Sequence, residues 1–322
     1  MREDLLRAAE LELQARQRQN EETMSRRRRE IRENYPELAE MLSRREQMIA
    51  GAVRGILQGQ SAPEDLPARM EETSGEIRAA LKRNGFPEDY LAPVYECPLC
   101  RDTGFVGETV RERCACVRKR YQQKLREAVG LPPEGGESFE SFDLSVFPAE
   151  KPEGSRYTQR DVMEKVRERC EEWADSYPHQ ECRDLLLSGQ SGLGKTYLLH
   201  AMAGRLIERG VQVLLMSAYS FVDLARQSYY ENDGRLEEVI GTEVLMIDDL
   251  GSEPMMQNVT VEQLFNLINE RQRRNLPTIV STNLNQEELR QRYTERIASR
   301  LTDRHTCLFL PLKGRDIRNG RG

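Results

Sequence analysis

Eight residues near the middle of the chain, Gly189-Gln190-Ser191-Gly192-Leu193-Gly194-Lys195-Thr196, match the pattern G-x-x-x-x-G-K-[ST] without a mismatch. Glycines at the positions of Gly192 and Gly194 can turn backbone N–H groups inward and let phosphate oxygens approach closely. In this pattern Lys195 places its charge on the β- and γ-phosphates, and Thr196 offers a hydroxyl to Mg²⁺. The motif therefore predicts that these eight residues bind ATP with Mg²⁺.

The flanking sequence supports this prediction. Asp184-Leu185-Leu186-Leu187-Ser188 is typical of a buried strand, and Lys195–Arg209 is predicted to be a helix that ends at Gly210. A helix that begins at Lys195 directs its positive N-terminal end toward bound phosphate. A simple glycine turn is the alternative, but chance seldom places this pattern between a strand and a helix.

Strands and helices continue to alternate after this P-loop. The later predicted strands are Val211–Met216, Val244–Ile247, Pro277–Thr282 and His305–Leu310. Such alternation is typical of a parallel sheet covered by helices, so the sequence predicts an α/β domain with a central parallel sheet. Only twelve residues follow Leu310, which are too few for a C-terminal helical lid.

Two carboxylates end the strand Val244-Leu245-Met246-Ile247-Asp248-Asp249. An apolar strand that delivers acids at its C-terminal end is the Walker B arrangement. We expect Asp248 to hold Mg²⁺ and Asp249 to polarise the attacking water. A surface turn after a strand is the alternative.

Asn283 follows the next predicted strand, where it can sense the γ-phosphate or orient water. Asparagine often only caps a helix. Here Asn285 can cap the helix that follows, which leaves Asn283 for the site.

The segment Glu295-Arg296-Ile297-Ala298-Ser299-Arg300-Leu301 is predicted to be helical. Arg296 and Arg300 are four residues apart and share one face, whereas Ile297 and Leu301 share the face beside it. Two interpretations remain open from the residues alone. The arginines form an ordinary solvated face, or one of them is an arginine finger that reaches the ATP of a neighbouring subunit.

Two close pairs of cysteines lie upstream of the P-loop. Cys97-Pro98-Leu99-Cys100 is followed, after thirteen residues, by Cys114-Ala115-Cys116. Four thiolates meet the needs of a tetrahedral structural Zn²⁺ site. A redox dithiol needs only one pair, and unligated buried cysteines are the remaining alternative.

The chain divides into two predicted domains. Residues 1–130 read as helices plus the cysteine module, with apolar stripes that pack on one another or receive a partner protein. Residues 131–137 contain the linker-like Leu131-Pro132-Pro133-Glu134-Gly135-Gly136, and residues 138–322 form the ATPase domain. The run Arg26-Arg27-Arg28-Arg29 has acidic neighbours, so a solvated helix face is favoured over a nucleic-acid contact.

The composition limits the kinds of protein. Charged residues make up 32% of the 322, and the net charge of −6 argues against indiscriminate binding to nucleic-acid backbones. Apolar runs of membrane-spanning length are absent, and the N-terminus is too polar for a signal peptide. Seven cysteines are typical of a reducing compartment rather than of a disulfide framework, so we expect a cytoplasmic protein without a membrane partner.

The order of the motifs resembles the DnaC/DnaI family of bacterial replicative helicase loaders, which are AAA+ ATPases. The P-loop is followed by Ile247–Gly251, Asn269-Glu270-Arg271, Ser281-Thr282-Asn283 and Glu295–Leu301. This likeness covers residues 138–318, and Tyr95–Gly104 resembles the zinc-bearing region of the DnaI-like branch.

The resemblance implies a function for each domain. The N-terminal domain would bind the hexameric replicative helicase, and the AAA+ core, without a lid, would bind ATP and single-stranded DNA. Arg300 becomes the favoured arginine finger, ahead of Arg296, in subunits that associate through their ATP sites. Asp249 stands where AAA+ proteins favour glutamate, so we expect slow, switch-like hydrolysis. A basic interior built from loops such as Ser228–Arg235, where Tyr229 and Tyr230 could stack on bases, would hold the DNA.

Two alternative functions remain. One is an IstB-like accessory ATPase of transposition, although such relatives usually lack the cysteine cluster. The other is a zinc-containing adaptor that binds nucleotide without hydrolysing it, against which the intact Asp248, Asp249 and Asn283 argue.

Overall fold

The computed structural model describes residues 2–59, 61, 63–107, 110–132, 135–151, 154, 156–231, 234–256 and 259–320. Its contacts divide the chain into two compact units. The N-terminal unit is Arg7–Val117, and the C-terminal unit begins at Arg118 and also takes in the residues before Arg7. Each unit has its own core.

The N-terminal unit is built on three helices, namely α1 (Arg2–Asn34), α2 (Pro36–Leu57) and α3 (Leu66–Arg83). The first half of α2 buries Leu38 and Leu42 against Ile77 and Leu81 of α3. These residues recur every three or four positions, which places them on one helical face. The predicted packing of the two apolar stripes is therefore confirmed for this half of α2.

The basic run on α1 is mostly exposed to solvent. Arg27 is the exception, because its guanidinium donates to the carbonyl oxygen of Tyr90 at 3.0 Å and lies 4.8 Å from the centre of that ring. Tyr90 in turn donates its hydroxyl to Glu30 at 2.6 Å. One arginine of the run thus contributes to packing, whereas Arg26, Arg28 and Arg29 are exposed.

A small hairpin carries the cysteines. Strands β1 (Phe105–Val106) and β2 (Glu112–Arg113) pair antiparallel, and helix α4 (Ala115–Ala128) follows. The division between the units falls inside α4, earlier than the predicted linker at residues 131–137, of which Pro133 and Glu134 lie outside the described residues. Gln122 of α4 donates to the carbonyl oxygen of Glu208 at 2.7 Å, which groups this part of the helix with the C-terminal unit.

A five-stranded parallel sheet forms the centre of the C-terminal unit, in the order β4-β5-β6-β3-β7. Its strands are β3 (Asp184–Ser188), β4 (Val213–Ser217), β5 (Val244–Leu250), β6 (Thr278–Thr282) and β7 (Cys307–Pro311). The flanking helices are α5 (Gln159–Ser176), α6 (Lys195–Glu208), α7 (Ala218–Glu231), α8 (Arg235–Gly241), α9 (Thr260–Arg273), α10 (Gln286–Tyr293) and α11 (Glu295–Leu301). The predicted α/β fold with a central parallel sheet is confirmed.

The order of the strands places the functional segments together. β3, β5 and β6 are the three adjacent inner strands, and every residue of β3 and β6 is buried. Since all three are parallel, their C-terminal ends lie along one edge of the sheet, where α/β proteins bind ligands. The P-loop and Asn283 follow two of these ends, and Asp248 lies in β5, two residues before its end.

Arg271 stabilises the opposite edge of the sheet, at the start of β6. Its side chain is fully buried, and its guanidinium donates to Thr278 Oγ1 at 3.0 Å and to the carbonyl oxygens of Ile240 and Thr242 at 2.9 and 2.7 Å. A further bond goes to the carbonyl oxygen of Pro277. One side chain therefore joins α9, the end of α8 and the start of β6.

Two details differ from the sequence-based expectations. The predicted loop Ser228–Arg235 is wrong at both ends, because α7 continues to Glu231 and α8 begins at Arg235, while residues 232 and 233 lie outside the described residues. The side chains of Tyr229 and Tyr230, predicted to stack on bases, lie outside what the structure describes. Separately, none of the described helices is both long enough and apolar enough to cross a membrane.

Candidate nucleotide-binding site

The P-loop joins the end of β3 to the start of α6. Gly192 and Gly194 have φ angles of +75° and +83°, a region that side chains seldom adopt. A β-carbon at Gly192 would lie 1.8 Å from Asp316 Oδ1, so the Asp316 side chain would have to move if another residue stood there. Helix α6 begins at Lys195 as predicted, and its first turn supplies unpaired N–H groups for an anion.

Lys195 is buried beneath the loop. Its ammonium donates to the carbonyl oxygens of Gly189 and Gln190, at 2.6 and 2.8 Å, and to Asn283 Oδ1 at 2.7 Å. Burial lowers the pKa of Lys195, while Asp249 and Asp248 oppose that shift. An ammonium has three donors. Binding a phosphate oxygen would therefore replace one of these acceptors, and Asn283 is the only side chain among them.

Asp248 lies between the P-loop helix and β6. Its Oδ2 accepts a hydrogen bond from Thr196 Oγ1 at 2.9 Å, and its Oδ1 accepts one from the hydroxyl of buried Ser281. A hydroxyl and a carboxylate are the oxygen donors that suit Mg²⁺. Thr196 and Asp248 thus fit the predicted magnesium ligands in chemistry and in placement.

Asp249 has an uncommon backbone conformation, with φ of +57°. Its N–H donates to Ser281 Oγ at 2.9 Å, and its carboxylate accepts a hydrogen bond from Asn283 Nδ2 at 2.6 Å. Asn285 caps α10 through a reciprocal pair of bonds with Glu288, as predicted. Asn283 is left to bridge Lys195 and Asp249.

An aromatic group borders the P-loop on another side. The rings of Phe142 and Phe147 stack at 5.7 Å, and Phe142 meets Tyr197 edge-on at 5.2 Å. Both phenylalanines lie within van der Waals reach of a β-carbon placed on Gly194. Phe142 is half-buried, so it can border a base, whereas Phe139 is buried and serves packing.

The residues after β7 fold back over the P-loop. Leu312 N–H donates to Ser188 O at 2.7 Å, and Ile317 N–H donates to Gly192 O at 3.1 Å. Arg318 then lies with a guanidinium nitrogen 3.5 Å from Ser191 Oγ. The chain therefore brings a second cation to the phosphate side of the loop.

A family comparison agrees with this geometry. The sequence profile of the family described as "IstB-like ATP binding protein" matches residues 170–321. This part of the chain is therefore similar to the IstB/DnaC-type AAA+ family.

Two relatives carry the name of a loader. The replicative helicase loader DnaI of Bacillus subtilis (strain 168) is 29% identical over 215 residues, which is 62% of this chain and 65% of that protein. The replicative helicase loader DnaC of Escherichia coli (strain K12) is 27% identical over 150 residues, which is 44% of this chain and 58% of that protein. The chain thus spans less than two thirds of the length of either relative. A crystal structure of DnaI is also similar, with 25% identity, a TM-score of 0.45 and coverage of 61% of this chain and 99% of that one.

The arginine-bearing helix α11 is docked by its apolar side. Ile297, Ala298 and Leu301 are buried, and Arg296 is exposed. The Arg300 guanidinium lies 4.9 Å from the centre of the Phe265 ring and donates to Arg296 O at 3.0 Å. Arg300 is thereby held in one place at the surface.

The four cysteines of the N-terminal unit come together. Their sulfur atoms all lie within 4.8 Å of one another, with Cys97 and Cys114 at 3.7 Å and Cys100 and Cys116 at 3.5 Å. Zn–S bonds in a tetrahedral site place sulfurs about 3.8 Å apart. All seven cysteines of the chain are free thiols, so the cluster fits zinc better than a disulfide.

Asp102 shapes the loop around the first cysteine pair. This carboxylate is buried and accepts the N–H groups of Glu96 and Cys97 at 3.0 and 2.8 Å. A third bond comes from Asn20 Nδ2 of α1 at 2.9 Å. The cysteine module is therefore fixed to the longest helix of its own unit.

Sequence reasoning missed Ser281, which touches both Walker B aspartates. The register of β5 and β6 pairs Ile247 with Val280 and then, after an irregularity, Leu250 with Thr282, so Asp248 and Asp249 both lie opposite Ser281. That signal needs the order of the strands, which the sequence alone did not supply.

Proposed function

We propose that the protein is an ATP-dependent loader of a replicative DNA helicase. The observation that carries this proposal is the similarity to proteins named replicative helicase loaders, joined to a P-loop whose lysine, aspartates and asparagine meet at one edge of the sheet. The rest of the proposal assigns a role to each part of the chain.

The ATP site would work through its own side chains. Lys195 would exchange Asn283 Oδ1 for a phosphate oxygen, and the P-loop N–H groups would hold the other phosphate oxygens. Thr196 and Asp248 would hold Mg²⁺, which neutralises phosphate charge when bound. Asp249 would accept a hydrogen bond from the attacking water while Asn283 keeps its carboxylate in place.

Hydrolysis at this site would be slow. The Asp249 carboxylate is already engaged with Asn283 at 2.6 Å, and an aspartate reaches less far than a glutamate. Slow turnover suits a switch, in which the bound nucleotide rather than the flux of ATP sets the state.

The trans contact would come from α11. Arg300 is our candidate arginine finger, ahead of Arg296. The ATP site of one subunit would then be completed by an arginine of the next subunit. Subunits would then associate side by side in an ATP-dependent manner, and the C-terminal unit would bind single-stranded DNA.

The N-terminal unit would bind the helicase. The second half of α2 exposes four large apolar side chains at helical spacing, namely Ile49, Val53, Ile56 and Leu57. Exposed apolar stripes of this kind mark protein contacts. The zinc-bound cysteines would hold the same unit rigid, as structural zinc does in small domains.

The experiment is size-exclusion chromatography with light scattering on the full chain mixed with a hexameric replicative helicase, with ATP and with ADP. We expect a complex whose amount depends on the nucleotide. The double variant Ile49→Asp/Val53→Asp should weaken it, and Gln47→Asp/Gly51→Asp, which adds the same charge on the other side of α2, should not.

Two results would contradict the proposal. The absence of any complex, together with ATP-dependent oligomers on DNA, would favour the transposition-type accessory ATPase that the family description also allows. A complex that forms equally with ATP, ADP and no nucleotide would favour an adaptor.

A further inference from the structure

Glu253 is a buried acid that the site described above does not use. Only 2% of its surface is exposed, and it lies four residues after Asp249 in the turn that ends β5. Buried carboxylates are costly unless their oxygens are fully hydrogen-bonded. The hydrogen-bond partners of Glu253 therefore indicate which segments this side chain holds together.

One carboxylate oxygen faces the Walker B turn. Glu253 Oε2 accepts the N–H of Gly251 at 2.8 Å. Gly251 has a φ of +112°, and a β-carbon there would come within 2.9 Å of Leu284, the residue after Asn283. The turn held by Glu253 is thus packed against the end of β6 that carries Asn283.

The other oxygen faces α10. Glu253 Oε1 accepts the hydroxyl of fully buried Tyr293 and lies 3.5 Å from Arg292 Nε. Arg292 also donates to the backbone oxygen of Glu253 at 2.6 Å. Desolvation and the adjacent Glu253 raise the pKa of Tyr293, so its hydroxyl stays protonated and remains a donor.

Tyr293 is the last residue of α10, and one residue separates it from α11. That residue, Thr294, has φ of +79° and ψ of 155°, a conformation that is essentially limited to glycine. A β-branched residue there is strained, and such strain persists only where the surroundings hold it. The bonds from Glu253 to Tyr293 and Arg292 fix the preceding residues on one side of the strained joint.

We propose that Glu253 is a positioning residue that couples the nucleotide state at Asp249 to the placement of the arginine helix α11. The inference rests on the proposed function, because it assumes that α11 acts on a neighbouring nucleotide. The connection runs along the backbone from Asp249 to Gly251, then through the hydrogen bonds that Gly251 and Tyr293 donate to Glu253. A change at the Walker B turn would move α11, and so Arg300, as part of the same rigid group.

The test measures hydrogen exchange of the amides in residues 286–301 with Mg·ATP and with Mg·ADP. The full chain is kept at a concentration where light scattering shows single chains, so that assembly does not contribute. Wild-type protein should exchange about fivefold more slowly with ATP, the lower end of typical coupling between sites. Glu253→Gln and Tyr293→Phe should remove the difference while the dissociation constants for both nucleotides are retained.

Matched controls are Glu262→Gln and Tyr219→Phe, which change exposed residues of the same types. A purely structural role for Glu253 would lower the melting temperature without touching the ATP-to-ADP difference. Tyr293→Phe removes one hydroxyl only, so it keeps the test valid if Glu253→Gln does not fold.

The outcomes separate the two proposals. Nucleotide binding without an ATP-to-ADP difference in the wild type, or a difference that persists in Tyr293→Phe, overturns the coupling alone. A wild-type chain that binds no nucleotide overturns the proposed function, and the coupling with it.

Discussion

The side-chain amide of Asn283 donates to the carboxylate of Asp249 at 2.6 Å. The same amide group accepts from Lys195 through its oxygen at 2.7 Å, so one asparagine links the phosphate-binding cation to the acid expected to polarise water. When a phosphate oxygen replaces Asn283 as a partner of Lys195, the same side chain can still hold the Asp249 carboxylate. Phosphate binding and the position of Asp249 are therefore linked through Asn283.

Asp249→Asn should abolish hydrolysis without abolishing binding. The amide cannot serve as a base, and loss of general-base catalysis typically lowers turnover by about 100-fold or more. Phosphate release and the equilibrium binding of ATP, measured on the same preparation, check this. Retained turnover would show that Asp249 is not the base, and Asp223→Asn on the exposed side of α7 serves as the control.

Lys195→Ala should abolish ATP-dependent self-association and leave the N-terminal unit folded. Hydrogen bonds to a charged group contribute about 1.5–3 kcal/mol, so the dissociation constant for ATP should rise about tenfold or more. Light scattering with ATP, alongside zinc content, provides the readout. Lys165→Ala, at an exposed ion pair with Glu168, should behave as wild type. Assembly that persists in Lys195→Ala would contradict the proposed site.

Arg300→Ala should lose assembly and hydrolysis but keep ATP binding, because the guanidinium is expected to act on the neighbouring subunit. Mixing it with Lys195→Ala protein tests this in trans. A mixed assembly contains some interfaces with an intact P-loop facing an intact Arg300, so hydrolysis should reappear. No recovery in the mixture, with each variant folded, would argue that Arg300 does not act across subunits, and Arg296→Ala is the comparison.

Cys97→Ser/Cys100→Ser should lose bound zinc and open the N-terminal unit to proteolysis. Two of four ligands are removed, and the Asp102 network that packs the module on α1 loses its anchor. Metal analysis and limited proteolysis of the full chain measure the effect. Cys182→Ser, outside the cluster, is the matched control. Unchanged protease resistance in the double variant would remove the zinc proposal.

Arg271→Met should destabilise the C-terminal unit by about 3–5 kcal/mol. Methionine keeps much of the apolar stem but leaves the carbonyl oxygens of Ile240 and Thr242 without the Arg271 donor, at about 1–3 kcal/mol for each unsatisfied group. Pro277 O keeps its hydrogen bond from the N–H of Leu245. Urea unfolding followed by circular dichroism gives the value. Arg273→Met, exposed on the same helix, should change stability little.

Much of the nucleotide site was predictable from local sequence. The P-loop pattern, the apolar strand ending in Asp248 and Asp249, and the polar end of β6 are each short, contiguous signals with a chemical reason for every residue. The α/β fold followed from the alternation of strands and helices. Such signals can be read from the sequence because the hydrophobic periodicity of a strand or a helix depends only on residues that are close together in the chain.

Other predictions failed where tertiary contacts decide. Ser228–Arg235 looked like a loop, yet α7 continues to Glu231. The contacts divide the chain after Val117, inside α4, because the rest of α4 packs on the C-terminal unit, and no local signal reports that packing. The predicted domain bounds 1–130 and 138–322 stay a prediction.

The sequence by itself determined the phosphate-binding loop, the two aspartates, the four cysteines and the class of fold, because each depends on residue type at fixed local spacing. The tertiary structure alone decided that Ser281 joins Asp248 to Asp249 and that Glu253 meets Tyr293. Those contacts join residues far apart in the chain. The order of the strands brings these residues together, and their buried polar groups then need hydrogen-bond partners. A local sequence pattern does not show which distant residue will be that partner.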